Sequence, residues 1–304
     1  MNSNKISGNQ GRTVIAIYGK YLEAPFKNDL ELLFEILKKR QVELVIYAPF
    51  HDFLINEFGI KPNVKALFRS SGEVKHLADF MLSLGGDGTF LESVAFVEDS
   101  CIPVLGINFG RLGFLANIST EDIDDAIDML LAGKFYVEKR SMLQLVSSEK
   151  YQIDFPFGLN DLTLQKKGTS MITVNAYIDN EFLCTYWADG LIISTPTGST
   201  AYSLSVGGPI LSPSLSAILI SPIAPHHLTV RPFVIPDSCT LRLEVTGRSE
   251  GVLISIDSQS KTLSLPLTLE VKKASFYIGV VNLQGTNFYK TLRNKLLWGA
   301  DKRN

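Results

Sequence analysis

Leu84-Gly85-Gly86-Asp87-Gly88-Thr89 closes the apolar run Phe80 to Leu84 and leads straight into Phe90-Leu91-Glu92-Ser93-Val94-Ala95. A buried strand, a glycine corner and a helix start are thus written one after another. Thr89 and Glu92 stand at capping-box spacing, which predicts a helix opening at Thr89. Backbone N–H groups and the positive dipole end face the loop at such a start, and glycines let an anion approach the main chain. The corner therefore predicts a phosphate-type anion site on an α/β unit. Asp87 inside it would repel that anion, so its presence there points to chemistry or metal handling. Asp-Gly by itself is equally a plain turn; the strand before it and the capping pair after it favour the anion reading.

The surrounding chain supports an α/β frame. Thr13 to Tyr18, Glu43 to Tyr47 and Pro103 to Ile107 are, like Phe80 to Leu84, short apolar runs, and they read as buried parallel strands. Between Asp29 and Lys39, Leu30, Leu33, Phe34 and Leu37 form one helical stripe. Ser119 or Thr120 is placed to cap a helix running to Leu131, with Gly133 as its stop. After Val137 the texture changes to strand-like alternation in Met142 to Val146, Leu159 to Leu164, Ile172 to Ile178, Leu191 to Thr195, Thr240 to Val245, Gly251 to Ile256 and Leu267 to Val271. From Asn287 to Trp298 helical spacing returns, with Phe288, Leu292, Leu296 and Leu297 apolar. The sequence thus predicts a disordered tail over 1–12, an α/β domain with a parallel sheet over 13–136, a β-rich, sandwich-like domain over 137–286, and a tail helix over 287–304. That helix is expected to pack back on the first domain through Phe288 and Trp298.

With 304 residues, 45% of them apolar, the chain is long enough for two cores. Its 29 basic and 31 acidic residues leave a formal charge of −2 without a Lys/Arg run, which disfavours nucleic acid as a partner. Cys101, Cys184 and Cys239 show no CxxC pattern, so neither a disulfide framework nor a zinc site is written, and a reducing, cytoplasmic setting is expected. No apolar leader core stands at the start. Gly190 to Val230 holds no Asp, Glu, Lys or Arg, but Pro196, Pro209, Pro213, Pro222 and Pro225 forbid a spanning helix there, and no membrane partner is expected. Gly19-Lys20 and Gly133-Lys134 are followed by Tyr21 and Phe135, which excludes a Walker A loop; Gly106, Gly110 and Gly113 lack GxGxxG spacing.

Inside that uncharged stretch, Asp189 to Ser203 again reads strand, glycine loop, helix start. Ser194, Thr195, Thr197, Ser199, Thr200, Tyr202 and Ser203 supply hydroxyls and the loop supplies N–H groups, without a cation of its own. Such a lining suits a sugar, an adenine edge or a phosphate; the bland alternative is a loop whose hydroxyls cap one another. His226 and His227, as neighbours on a strand, would face opposite ways, so no metal site is expected there. Arg231 is as much a solvated charge as a phosphate ligand.

Gly85-Gly86-Asp87-Gly88-Thr89, the run Gly106 to Leu115, Asn160-Asp161, Asp189 to Gly208 and Asp257-Ser258-Gln259 together resemble the bacterial NAD kinases, in that family's order and over nearly the whole chain. The first element is shared with diacylglycerol- and sphingosine-type lipid kinases, whereas Thr195 to Tyr202 is more specific. The resemblance implies phosphoryl transfer from ATP to the adenosine-ribose 2′-hydroxyl of NAD. It implies Asp87 as proton acceptor, with Asp87, Gly88, Asn160, Asp161, Asp189, Thr200, Ala201, Tyr202, Ser203 and Gln259 against NAD. Gly85, Gly86, Gly88, Thr89, Thr197, Gly198 and Ser199 would serve phosphate. Magnesium, or another divalent ion, would come with ATP rather than bind a protein metal site, and a homodimer or homotetramer is implied. Asp161 replaces the family's usual Glu, and Trp187 stands where many relatives carry a basic residue. The rivals are a lipid kinase and a catalytically silent dinucleotide sensor. A carboxylate is too weak a base to ionise an alcohol beforehand, so Asp87 is expected to orient the hydroxyl and take its proton late. Asp87→Asn is accordingly expected to spare NAD binding while collapsing turnover.

Overall fold

The computed structural model describes residues 12–146, 151, 153–248 and 251–299. Most of the tail read for 1–12, and the chain end after residue 299, lie outside the described residues. The chain divides into two compact units, Met1–Val137 with Gly279–Asn304, and Glu138–Ile278.

In the first unit the apolar runs form β1 (Val14–Gly19), β2 (Glu43–Tyr47), β3 (Ala66–Phe68), β4 (Phe80–Gly85), β5 (Val104–Asn108) and β6 (Ala116–Ser119). All pair in parallel, in the order β3-β2-β1-β4-β5 with β6 beside β5. β4 and β5 are buried along their whole length, as parallel strands covered on both faces must be. The helix Lys27–Lys39 buries Leu30, Leu33, Phe34 and Leu37 in a core shared with Ile123, Ala126, Ile127 and Leu130 of the helix Ile123–Leu131. From β1 the chain proceeds outward to β2 and β3, then returns to lay β4 on the other side of β1. The strand order reverses there, and in open α/β sheets the crevice at the carboxyl ends of such strands is the ligand site. Gly85 lies at that end of β4.

Two helix starts differ from the sequence reading. The helix Asp87–Val97 begins at Asp87 with Gly86 as its N-cap and no side-chain cap. The Thr89–Glu92 capping box does not form, because Glu92 instead accepts from the Tyr18 hydroxyl at 3.0 Å and the Lys20 ammonium at 2.8 Å, partners from the end of β1. Ser119 likewise caps no N–H; its hydroxyl donates to Asp122 at 2.7 Å, and a 3₁₀ turn, Thr120–Asp122, leads into the helix Ile123–Leu131.

The second unit holds two antiparallel sheets. β7 (Phe135–Leu145) enters it, followed by β8 (Phe157–Gly158), β9 (Asp161–Lys166), β10 (Ile172–Ile178), β11 (Glu181–Ala188), β12 (Gly190–Ser194), β13 (Ala217–Ile223), β14 (Phe233–Pro236), β15 (Leu241–Gly247), β16 (Gly251–Ile256), β17 (Gln259–Ser264) and β18 (Leu267–Leu283). One sheet runs β11-β10-β15-β18, the other β14-β13-β12-β9-β16-β17. Val174, Leu243 and Leu269 of the first share one core with Leu164, Ile193, Ile220 and Val252 of the second, so the inward-facing rows of the two sheets enclose a sandwich interior. His226 and His227 follow the end of β13 in a loop rather than on a strand.

The return to the first unit comes earlier than residue 287. Gly279–Leu283, the buried end of β18, already belongs to it, with Val280 paired to Val104 of β5. The tail helix Phe288–Leu296 opens at Asn287, whose side chain accepts from the Lys290 N–H at 2.9 Å. Phe288 lies 6.2 Å, ring to ring, from Phe114, while Trp298 is 57% exposed and does not pack as expected, because it lies beyond the helix end. No helix among the described residues is long and apolar enough to cross a membrane. Removing the cap by Asn287→Ala should cost about 1 kcal/mol locally, lowering hydrogen-exchange protection of the amides in Phe288–Leu296 roughly fivefold; unchanged protection would show that packing alone holds the helix.

Candidate functional site

Asp87 is the best-seated carboxylate of the first unit. Its Oδ1 accepts the N–H groups of Leu115 at 3.0 Å and Ala116 at 2.9 Å, and its Oδ2 accepts that of Phe114 at 2.8 Å. Three consecutive donors of the loop between β5 and β6 thereby converge on one side chain. A carboxylate offers about four acceptor positions, so Oδ1 is saturated while Oδ2 keeps one free. The Lys295 ammonium of the tail helix stands 3.6 Å from that oxygen.

Glycine makes this seat sterically possible. A Cβ on Gly113 would come within 1.8 Å of Asp87 Oδ1, and one on Gly85, whose φ is +151°, within 2.3 Å of the Thr89 hydroxyl. At Gly86 and Gly88 a Cβ would meet nothing within 4 Å. The first turn of the helix Asp87–Val97 presents its unbonded N–H groups beside that open space. Gly85, Gly86, Gly88 and Thr89 thus surround Asp87 as the sequence placed them.

In the second unit Asn160-Asp161 enters β9 between two supports. On one side Asp257, at the tight β16–β17 turn with φ +47°, accepts from Leu159 N at 2.7 Å, Asn160 N at 2.9 Å and Asp161 N at 3.1 Å. On the other, the Thr195 hydroxyl donates to Leu159 O at 2.5 Å, and Asn160 O accepts from Thr195 N at 2.9 Å and the Ser194 hydroxyl at 3.2 Å. The Asn160 side chain has no protein partner among the described residues. Burial pushes the Asp161 carboxyl up to about 7, the neighbouring Asp257 charge adds to this, and the bond from Thr163 opposes it. Burial also raises Asp257, to about 6, against the pull of its three N–H donors.

The hydroxyl loop caps itself more than the sequence suggested. Ser199 and Ser203 are fully buried; Ser199 bonds Pro196 O at 2.7 Å and Leu211 N at 2.9 Å, and Ser203 pairs with Ser221 at 2.8 Å. These two brace the loop, while Gly198 packs its Cα against Asn160 O, where a Cβ would stand at 2.1 Å. Thr200, Ala201 and Tyr202 keep accessible surface, Tyr202 being 38% exposed. The loop is not without a cation: Arg140, 5% exposed on β7, reaches Thr197 Oγ1 at 3.3 Å and pairs with Glu138 at 2.7 Å. Asp189 is held by Lys166 at 2.7 Å, and Gln259 is exposed at the start of β17. Trp187 stacks on His227 at 4.5 Å, and Arg231 donates to the carbonyls of Leu228 and Val230, so neither His227 nor Arg231 stands free.

Asp257, Arg140, Gly113 and Lys295 are the contributors the sequence reading left without a role. The signal for Lys295 was present: Phe288, Leu292 and Lys295 share one helical face. Among the described residues no three His, Cys, Asp or Glu side chains cluster as metal ligands.

Two family models match the chain. One described as the ATP-NAD kinase N-terminal domain matches residues 35–135, and one described as the ATP-NAD kinase C-terminal domain matches residues 159–283. The NAD kinase of Cytophaga hutchinsonii is 44% identical over 296 residues, spanning 96% of this chain and 100% of that protein. That of Porphyromonas gingivalis is 38% identical over 290 residues, spanning 95% and 99%. Yeast NADH kinase, solved with NADH, superposes with a TM-score of 0.83 at 24% identity, covering 95% of this chain and 89% of that one. An Archaeoglobus fulgidus NAD kinase, solved with ATP, gives 0.70 at 24% identity, covering 93% and 97%; these last two are likenesses of fold.

Gly113→Ala, which forces Asp87 from its seat, should lower the unfolding free energy by about 2 kcal/mol in urea titration, whereas Gly110→Ala, whose Cβ would meet nothing closer than 3.8 Å, should stay within about 0.5 kcal/mol. The Asp161 and Asp257 shifts generate a second test. Both pKa values lie above the ordinary 3.8, so the folded protein holds protons that the unfolded chain releases; the stability they contribute is present below pH about 4 and is lost as pH rises through about 7. The stability difference between the parent protein and Asp161→Asn should therefore change across that window, by up to about 1 kcal/mol per pH unit; a flat difference would mean that Asp161 titrates as an ordinary carboxylate.

Proposed function

The chain belongs to the NAD kinase family, and from that premise we infer that it transfers the terminal phosphoryl group of ATP to the adenosine-ribose 2′-hydroxyl of NAD, forming NADP. The lipid-kinase and silent-sensor readings gain no support from relatives that match 96% and 95% of the chain and are named NAD kinases. The observation that carries the mechanism is the single acceptor position left open on Asp87 Oδ2. A hydroxyl donating there is oriented, and its proton has a destination.

In the transfer, the 2′-oxygen bonds the terminal phosphorus as the bond from phosphorus to the bridging oxygen breaks. ADP departs, and the hydroxyl proton passes to Asp87. In a loose transition state that proton moves late, so the carboxylate acts mainly by orientation. General-base help is worth about 10² to 10⁴ in rate; the rest comes from alignment and from N–H groups directed at developing charge around Gly85, Gly86, Gly88 and Thr89. On the NAD side, Asn160 and Asp161 serve ribose hydroxyls or base, and Thr200, Ala201, Tyr202 and Ser203 the adenosine, with Ser203 acting through the loop it braces. Asp189 and Gln259 complete the dinucleotide contacts, and Thr197, Gly198 and Ser199 shape the phosphate loop. Magnesium, or another divalent ion, would enter with the triphosphate and offset its charge. We take the enzyme to be a cytoplasmic homodimer or homotetramer, as the family resemblance implies, and a net charge of −2 suits small-molecule partners better than nucleic acid.

Purified protein should form NADP from NAD and ATP in a coupled dehydrogenase assay. Asp87→Asn should reduce turnover by about 10² or more. NAD binding should be largely spared, but an amide NH₂ at the Oδ2 position faces the Phe114 N–H and the loop loses an anchor. A drop of a few degrees in Tm should therefore accompany the loss. Turnover equal to that of the parent protein would remove Asp87 from the mechanism.

A further inference from the structure

We propose that Lys295 of the tail helix is a phosphate-binding residue of the transfer reaction, its ammonium resting beside Asp87 in the free protein and turning to the terminal phosphate of the donor when the acceptor hydroxyl takes its place. The inference rests on the NAD kinase reading and adds to it a residue from outside both glycine loops.

Three observations converge. Lys295 Nζ stands 3.6 Å from Asp87 Oδ2, near enough for charge attraction yet too far to fill the free acceptor position as a hydrogen bond. The same ammonium lies 4.7 Å from the centre of the Phe114 ring, and it is the Phe114 N–H that occupies the other position on Oδ2, so one residue seats both charges. The helix carrying Lys295 is fixed in turn, capped by Asn287, with Leu292 buried and Phe288 against Phe114. At 32% exposure the Lys295 side chain keeps a route to solvent and to an incoming anion.

The chemistry of the corner requires such a group. Gly85 to Thr89 contains a carboxylate and no cation, and Lys20, at the end of the adjacent strand, is already paired with Glu92. A donor phosphate brought within reach of a hydroxyl on Asp87 meets that negative charge. N–H dipoles offset part of the repulsion, and an ammonium able to pivot between carboxylate and phosphate offsets more. In the transfer step Lys295 neither gains nor loses a proton; it follows the negative charge on the terminal phosphoryl oxygens as the bond to ADP breaks.

The test uses the full chain with Lys295→Met, Lys295→Gln and Lys295→Arg. With NAD saturating, kcat/KM for ATP should fall about 10²-fold in the Met and Gln variants, recover to within about tenfold of the parent in the Arg variant, and leave the KM for NAD within about threefold. Inorganic triphosphate, added alone, should raise the Tm of the parent protein and of Lys295→Arg but not that of Lys295→Met or Lys295→Gln. An ATP dependence equal to the parent's in Lys295→Met, or a loss shared by both substrates together with a lowered Tm in all three variants, would reduce Lys295 to a structural pin and overturn the proposal. If the parent protein made no NADP, the kinase reading would fall, while the triphosphate shifts would still decide whether Lys295 binds phosphate.

Discussion

A carboxylate seated on three consecutive backbone N–H groups organises a loop in each unit of this molecule. Asp87 gathers Phe114, Leu115 and Ala116 in the first unit; Asp257 gathers Leu159, Asn160 and Asp161 in the second. Charge-assisted bonds of this kind are stronger than neutral ones, and three on a one-carbon side chain leave the loop little freedom. Much else follows from them. Gly113 must lack a Cβ, β6 must start where Ala116 meets Asp87, and Asn160 must sit where its backbone is pinned from both sides.

The two clamps are alike in geometry and differ in their surroundings. Asp87 retains an acceptor position beside the Lys295 ammonium, so it can receive a hydroxyl. Asp257 accepts the same number of N–H groups, two on Oδ1 and one on Oδ2, but burial beside Asp161 pushes both acids up, which marks a seat where negative charge is costly. An acid so placed shapes the recognition loop, whereas Asp87 can take part in the reaction.

Features carried by contiguous residues were legible in the sequence. β2 and β10 have the bounds that their alternation and apolarity gave, and the strand-to-helix corner at Gly85 is where the glycines put it. Whatever depended on a distant partner was not. Thr89 and Glu92 have the spacing of a capping box, yet Glu92 turns to Lys20 and Tyr18, residues brought close only by the pairing of β1 with β4. β13 lies in the uncharged stretch and was not among the strands named from the sequence, because nothing local hints that β12 and β14 flank it. Arg140 and Lys295 stood far in sequence from the loops they reach, and a census of local charge could not assign them.

The glycines around Asp87 sort themselves by what a side chain would meet, and the sorting says which demands come from within the protein. Gly85 and Gly113 are required by Thr89 and Asp87. Gly86 has φ −98° and ψ −168°, extended backbone open to any residue, and Gly88 sits in the first turn of a helix, where glycine costs about 1 kcal/mol against alanine. Neither conformation nor packing accounts for these two, since a Cβ on either would reach no atom within 4 Å. The bare backbone there would let something outside the chain approach closely. A phosphate drawn against helix N–H groups, at the carboxyl end of β4 where the strand order reverses, is the occupant that this combination of open space and exposed donors suits.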